Sequence, residues 1–250
     1  MIYKKSPQEI DIMREAGKIL AATMDRLEAE IRPGVATGDL DAIAEASITE
    51  AGAIPSFKGY RGFPASICTS VDEVIVHGIP GPLALKSGNV ISIDVGVHFE
   101  GFHADSAWTF PVGDVSSEVS DLLNVTETAL WAAIDQCKPG NRVGDIGHAV
   151  ETAVQPHGYG VVREYVGHGV GRALHEEPQI PNYGPPGRRE VLSAGMTLAI
   201  EPMVNLGGPE TEALDDGWTV VTADRMVSAH FEHTVAVTPE GHEVLTRRGG

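Results

Sequence analysis

Two aspartates near the middle of the chain, Asp94 and Asp105, carry the clearest chemical signal. The segment Val90-Ile-Ser-Ile-Asp-Val-Gly-Val-His-Phe99 alternates. Ile91, Ile93, Val95, Val97 and Phe99 point one way, and Ser92, Asp94, Gly96 and His98 the other. That is the period of a half-buried strand. A second run, His103 to Phe110, follows Glu100-Gly-Phe102, so the two runs predict a hairpin. A turn centred on Phe99 and Glu100 sets Asp94 directly opposite Asp105 on one face, where Cβ atoms stand about 4.5–5.5 Å apart. Carboxylates that close repel each other, and one must hold a proton unless a cation lies between them. A divalent metal explains the pair more economically than two solvated acids. A slip of the turn by one residue would put them on opposite faces.

Four more segments carry groups of the same kind. Val76-His77-Gly78-Ile79-Pro80 places a histidine before a tight turn, and Gly167-His168-Gly169-Val170-Gly171 places one where glycines would let backbone approach a ligand. Ala199-Ile200-Glu201-Pro202 ends a strand with an acid, and Ala229-His230-Phe231-Glu232-His233-Thr234 sets another on the polar side of an alternating strand. Singly, each has a plainer explanation: a structural histidine, a solvated strand end, a surface acid. Together Asp94, Asp105, His168, Glu201 and Glu232 offer four carboxylates and one imidazole. Such a donor set suits Mn²⁺, Fe²⁺, Co²⁺ or Zn²⁺ better than a closed structural zinc site. Four carboxylates exceed the need of one ion and match two ions about 3.5–4 Å apart.

Composition narrows the class. The 250 residues are 42% hydrophobic with a formal net charge of −17. That excess disfavours phosphate backbones and anionic lipid, so neither nucleic acid nor membrane is an expected partner. No apolar run reaches the roughly 18–20 residues of a membrane span. Met1-Ile-Tyr-Lys-Lys-Ser6 lacks the apolar stretch of a secretory signal. The only cysteines, Cys68 and Cys137, fit a reducing cytoplasm, the expected location.

The elements that must position these groups are legible in outline. Ser6-Pro7-Gln8-Glu9 is a capping box with proline at the first helical position. The helix it opens carries Ile10, Met13, Gly17, Leu20 and Met24 on one stripe and ends at Pro33-Gly34. A second helix runs from about Thr37 to Ala51, stopped by Gly52. The stretch from Pro55 to Pro64 is rich in glycine and proline, and short strands follow through Cys68 and Val74-Ile75-Val76. The scheme then repeats. Pro33, Gly34, Gly38, Asp39, Glu45 and Gly52 match Pro139, Gly140, Gly144, Asp145, Glu151 and Gly158 at an offset of 106. One residue further out, Leu85, Gly88 and Ile93-Asp94 match Leu192, Gly195 and Ile200-Glu201. Two related halves, about 1–112 and 113–250, are expected within one domain. They predict an α/β (α+β) fold: a pseudo-twofold unit with a curved, mostly antiparallel sheet covered by helices and a site in the cleft between halves.

Taken together, these segments resemble the type I methionine aminopeptidases of the pita-bread fold, from about Ser6 to about Thr246. The specific motifs are Cys68-Thr-Ser-Val-Asp-Glu-Val-Ile-Val-His-Gly-Ile-Pro80, Asp94 with Asp105, Gly167-His-Gly-Val-Gly171 leading to His175-Glu-Glu-Pro178, Glu201-Pro-Met203 and Glu232-His-Thr234. The resemblance implies that Asp94 chelates one metal, Asp105 and Glu232 bridge two, and His168 and Glu201 hold the other. It implies that His77 and His175 contact the substrate. It also implies a methionine pocket of Tyr60, Phe63, Cys68, Leu174 and Trp218. Phe63 stands where tyrosine is common and Leu174 where phenylalanine is common, and both stay apolar. A monovalent cation near Asp72, Val74 and Ser228 is the weakest implication, because Asp72 replaces a usual asparagine.

The implied activity is removal of the N-terminal methionine of nascent polypeptides when the second residue is small. Glu201 would relay the water proton to the leaving amine, with His77 and His175 donating hydrogen bonds. Nascent chains as substrate make the ribosome a candidate partner, and a monomer is the default. Two rivals stand beside this reading. A prolidase or aminopeptidase P of the same fold usually carries an extra N-terminal domain, and this chain starts at the first catalytic helix. A non-catalytic pita-bread binding protein typically loses ligands, whereas all five are present here.

Overall fold

The computed structural model describes residues 1–249. Helix α1 (Pro7–Glu30) opens with both bonds of the capping box: Glu9 N donates to Ser6 Oγ, and Ser6 N donates to Glu9 Oε2 at 2.7 Å. Its stripe, Met13, Ala16, Leu20, Met24 and Leu27, is buried. With α2 (Thr37–Glu50) it covers the long hairpin strands Val90–Phe99 and Phe102–Pro111. Helices α3 (Ser117–Ile134) and α4 (Val143–Val154) cover a five-stranded sheet that includes Gly167–Gly169, Thr197–Ile200 and His233–Thr238. Each helix pair therefore closes its own apolar core. Every strand pairing among the described residues is antiparallel.

The internal repeat is written in hydrogen bonds. Gly34 N donates to Leu85 O, and Gly140 N to Leu192 O. Leu85 N donates to Val35 O, and Leu192 N to Asn141 O. Gly88 N reaches Val112 O, and Gly195 N reaches Val237 O. Even the isolated bridges Ala36–Ala84 and Arg142–Val191 correspond. Asp39 and Asp145 cap α2 and α4 in the same way, each accepting from the backbone N–H three residues earlier.

The hairpin register differs from the expected one. The turn centres on Glu100 and Gly101, both left-handed at φ 46° and 86°. Asp94 therefore lies opposite Ala107, and Asp105 opposite Gly96. The shift is two residues, so the two aspartates keep a common face as diagonal neighbours. Had it been one, Asp105 would have turned into the core.

The second half is stitched to this hairpin by alternate residues. Asp105 N donates to Thr234 Oγ1, which donates back to Asp105 O at 2.8 Å. Glu232 N donates to Ala107 O, and Ser106 Oγ donates to Glu232 O at 2.6 Å. Thr109 Oγ1 donates to His230 O and accepts from His230 N, both at 2.8 Å. Threonine and serine hydroxyls thus do what a neighbouring strand's amides would do, and they fix Asp105 and Glu232 in one register.

One glycine on the apolar stripe of α1 has a steric purpose. A Cβ on Gly17 would collide with the carbonyl of Leu245. Replacing a helical glycine by alanine ordinarily gains up to about 1 kcal/mol. Here the close backbone approach decides the sign. Gly17→Ala is expected to lower stability by about 1–3 kcal/mol, as overpacking does. Chemical denaturation checks this, and an unchanged or higher midpoint would contradict the packing described.

Candidate metal centre

The cleft between the halves holds a cavity of about 160 Å³ lined by Asp94, Asp105, His168, Glu201 and Glu232. Asp94 comes from the first hairpin strand and Asp105 from its partner. His168 lies on Gly167–Gly169, Glu201 just beyond Thr197–Ile200, and Glu232 between Ser228–His230 and His233–Thr238. The pairings His168–Ala199 and His233–Ile200 keep the second-half residues level with one another. Asn182 Nδ2 donates to Glu201 O at 3.0 Å and holds the turn after that strand.

The donor atoms converge without bonding to one another. His168 Nε2 is 3.5 Å from Glu201 Oε1 and 3.9 Å from Asp105 Oδ2. Single ligand atoms of Asp105, His168 and Glu232 all lie within 4.8 Å of one another. Asp94 Oδ1, Asp105 Oδ1 and Glu232 Oε1 are buried with no hydrogen-bond partner among the described residues. Orphaned carboxylate oxygens are costly, and native structures rarely keep several together without an ion.

Electrostatics tells the same story. Burial, with the neighbouring acids second, pushes Asp105 and Glu232 well above the usual carboxylate range. Glu201 is raised by burial and by Asp94. Burial lifts Asp94 to about 7, with the neighbouring Asp105 acting in the opposite direction. Burial holds His168 down at about 4, so the ring is neutral at pH 7 and its contacts with acids are not ion pairs. Its Nδ1 lies 2.8 Å from Gly169 O. A carbonyl only accepts, so Nδ1 carries the proton and Nε2 presents a lone pair, the form in which histidine binds metal.

The other sequence-predicted residues line the same cavity: His77, His175, Tyr60, Phe63, Cys68, Leu174 and Trp218. The His175 ring lies 4.2 Å from that of His168, and its Nδ1 is 3.0 Å from Tyr60 Oη. Burial, with His168 next, lowers it to about 3. His77 is left-handed at φ 60°, an unusual backbone state for a residue with a side chain and one that concentrates at functional sites. Phe63 meets Trp218 edge to face at 5.1 Å. Burial, with Asp94 next, keeps the Cys68 thiol neutral.

One expectation needs correction. The glycines flanking His168 make room for protein and not for a ligand: a Cβ on Gly167 would meet Ala199 O, and one on Gly169 would meet Glu177 O. Asp72, Val74 and Ser228 do not line the cavity. The Asp72 carboxylate is already engaged, accepting from Asn89 Nδ2 at 2.5 Å and Val90 N at 2.9 Å.

His230 was not singled out from the sequence. It is buried, its Nε2 has no hydrogen-bond partner among the described residues, and that atom lies 3.7 Å from Glu201 Oε2. The signal was available: His230, Glu232 and Thr234 alternate, so a site containing Glu232 includes its neighbour two positions back. Phe57 and Arg61 also line the cavity. Both fall in the irregular stretch after Ile54–Pro55, where periodicity says nothing.

A two-half antiparallel fold brings four acids and the neutral imidazole of His168 together in its cleft, a donor set suited to a divalent metal, and comparison with known proteins shows the class to be a metallopeptidase. The model of metallopeptidase family M24 matches residues 11–239. The chain belongs to that family, on its methionine aminopeptidase branch. It is 55% identical to methionine aminopeptidase 1 of Bacillus subtilis, over 99% of this chain and 100% of the relative. The Escherichia coli methionine aminopeptidase is 44% identical over 98% of this chain and 93% of its own length. The methionine aminopeptidase of Thermotoga maritima superposes with a TM-score of 0.98 at 44% identity, covering 99% of this chain and all of that one. A prolidase from Pyrococcus furiosus reaches 0.82 at 23% identity, covering 99% of this chain and 66% of its own; this shows a shared fold alone.

The raised carboxylates set the sign of a pH effect. An acid whose folded pKa exceeds its unfolded value keeps its proton longer in the folded state, so a divalent cation must displace that proton. His168, neutral above about 4, adds nothing to this between pH 5 and 8. Metal affinity is therefore expected to rise as pH climbs through about 7, where Asp94 titrates, with protons released on binding. Calorimetry of Mn²⁺ binding in two buffers of different ionisation enthalpy reads this directly. Identical apparent enthalpies at pH 6.5 would contradict it.

Proposed function

We propose that the protein is a two-metal aminopeptidase that removes the N-terminal methionine of nascent polypeptides whose second residue is small. The observation that carries this reading is the set of buried carboxylate oxygens, partnerless among the described residues, gathered with the neutral imidazole of His168 in a cavity that also has an aromatic end. In this reading Asp94, Asp105, His168, Glu201 and Glu232 would hold the cations. When bound, the two divalent ions supply Lewis acidity and bring the pKa of water toward 7. Co, Mn, Fe and Zn all suit such donors.

The chain's own residues do the rest. Asp105 and Glu232 lie at the buried end, 4% and 2% exposed, while Tyr60 and Arg61 lie nearer solvent. A peptide therefore enters by its terminus, which makes an exopeptidase. Its first side chain fits among Tyr60, Phe63, Cys68, Leu174 and Trp218, where a thioether finds aromatic edges and a neutral thiol. Glu201 accepts the proton of the attacking water and returns it to the leaving nitrogen. With Tyr60 Oη as donor in its 3.0 Å bond to His175 Nδ1, Nε2–H of His175 would be free to donate to the tetrahedral oxygen or leaving nitrogen, with His77 as a second donor. His230, beside Glu201, steadies that carboxylate.

The finer expectations belong to the same reading: one catalytic domain of two halves, about 1–112 and 113–250, with the site at their seam; a cytoplasmic enzyme meeting nascent chains at the ribosome; and a monovalent cation near Asp72, Val74 and Ser228. The last would rest on backbone carbonyls, because the Asp72 carboxylate is occupied. The proline-specific alternative has less support, since its representative shares 23% identity and runs well beyond this chain. A binding-only protein would not need to bury four acids.

Hydrolysis of Met-Ala-Ser is expected to stop with chelator and return with Mn²⁺ or Co²⁺. Glu201→Gln should lower kcat by about 10²–10⁴, the range of general acid–base contributions. His175→Ala should lose turnover while elemental analysis finds its metal retained. Wild-type turnover in Glu201→Gln, or a metal-free His175→Ala, would overturn these roles.

A further inference from the structure

Lys5 forms a buried ion pair that the mechanism does not use. Its Nζ donates to Glu176 Oε2 at 2.5 Å, with the two side chains only 4% and 6% exposed. The main chain of Lys5 is pinned as well, its N–H donating to Gly195 O at 2.7 Å. Glu176 follows His175 directly and pairs across the strand with Gly169, the neighbour of His168. Its second oxygen accepts from Ala173 N at 3.1 Å and closes the turn that carries Leu174 and His175. A Cβ on Gly171, at the start of this turn, would fall on the Lys5 side chain. Gly171 O is fixed from the other side by His103 N at 2.7 Å. A second, exposed pair, Arg172 to Glu9 at 2.6 Å, ties the same turn to the first turn of α1.

Stability alone is a poor reason to bury such a pair, because apolar side chains of similar volume often serve as well or better. What the pair does supply is a fixed geometry. We infer that Lys5, through Glu176, is a positioning residue for the turn Gly171–His175, setting His175 against His168 and Leu174 against the aromatic pocket. The segment ahead of α1 thereby becomes part of the active-site scaffold. This inference rests on the aminopeptidase reading above.

The test uses the metal-loaded full chain. Lys5→Met alone strands a buried carboxylate and can fail to fold, so the informative variant is Lys5→Met combined with Glu176→Gln, which removes both charges and keeps the Ala173 bond. Met-Ala-Ser and Leu-Ala-Ser are compared as substrates, alongside metal content and melting temperature. The double variant is expected to hold its metal and melt within a few degrees of wild type. Its kcat should fall by about ten- to a hundredfold, the cost of a misplacement near 1 Å. Its preference for methionyl over leucyl substrate should narrow as Leu174 loosens, and Lys5→Arg should retain most of both properties. Unchanged kcat and preference would overturn the inference. So would a kcat loss that only tracks lost metal or melting. Failure of the metal-loaded wild type to cleave Met-Ala-Ser would instead sink the aminopeptidase reading itself.

Discussion

Four carboxylates gathered in one cavity, Asp105 and Glu232 buried and Asp94 and Glu201 nearly so, are the constraint around which the rest of the structure is arranged. Water would solvate them and a folded core does not, so burial raises all four above the usual acid range. Left alone they would push the two halves apart. A divalent cation held among them would turn the same arrangement into a clamp. The cost of assembling like charges is met by strand pairing and two apolar cores, which hold the acids at the seam.

That seam explains the hydroxyl-rich face of the hairpin. Ser106, Thr109 and Thr234 hydrogen-bond across the halves at the residues flanking Asp105 and Glu232. Asp105 and Glu232 are therefore placed through their backbone and not by flexible side-chain reach. His168 is set in the same spirit: its ring is oriented by Gly169 O, and its strand is drawn close by glycines on both sides. A metal site needs its ligands held rigidly by hydrogen bonds from the residues behind them.

Much of this was legible because it is local. The capping box at Ser6, the glycine stop at Gly52 and the alternation of Val90–Phe99 are short-range signals, and each has its predicted counterpart in the fold. The hairpin register was misread by two residues because Glu100-Gly101 lacks the Asn or Asp that marks a two-residue turn with both centres left-handed. The error spared the site only because strands have a period of two. The role of Gly167 and Gly169 could not be read, since the carbonyls they avoid come from residues far along the chain. His230 was readable in principle from its spacing to Glu232. The Lys5–Glu176 pair, 171 positions apart, was not.

Anomalous diffraction from crystals soaked in Mn²⁺ tests the central claim most directly. The account predicts two peaks in the cleft about 3.5–4 Å apart. Asp105 and Glu232 should touch both, Asp94 one, and His168 with Glu201 the other. A cleft without a peak, or manganese bound only at surface acids, would contradict it.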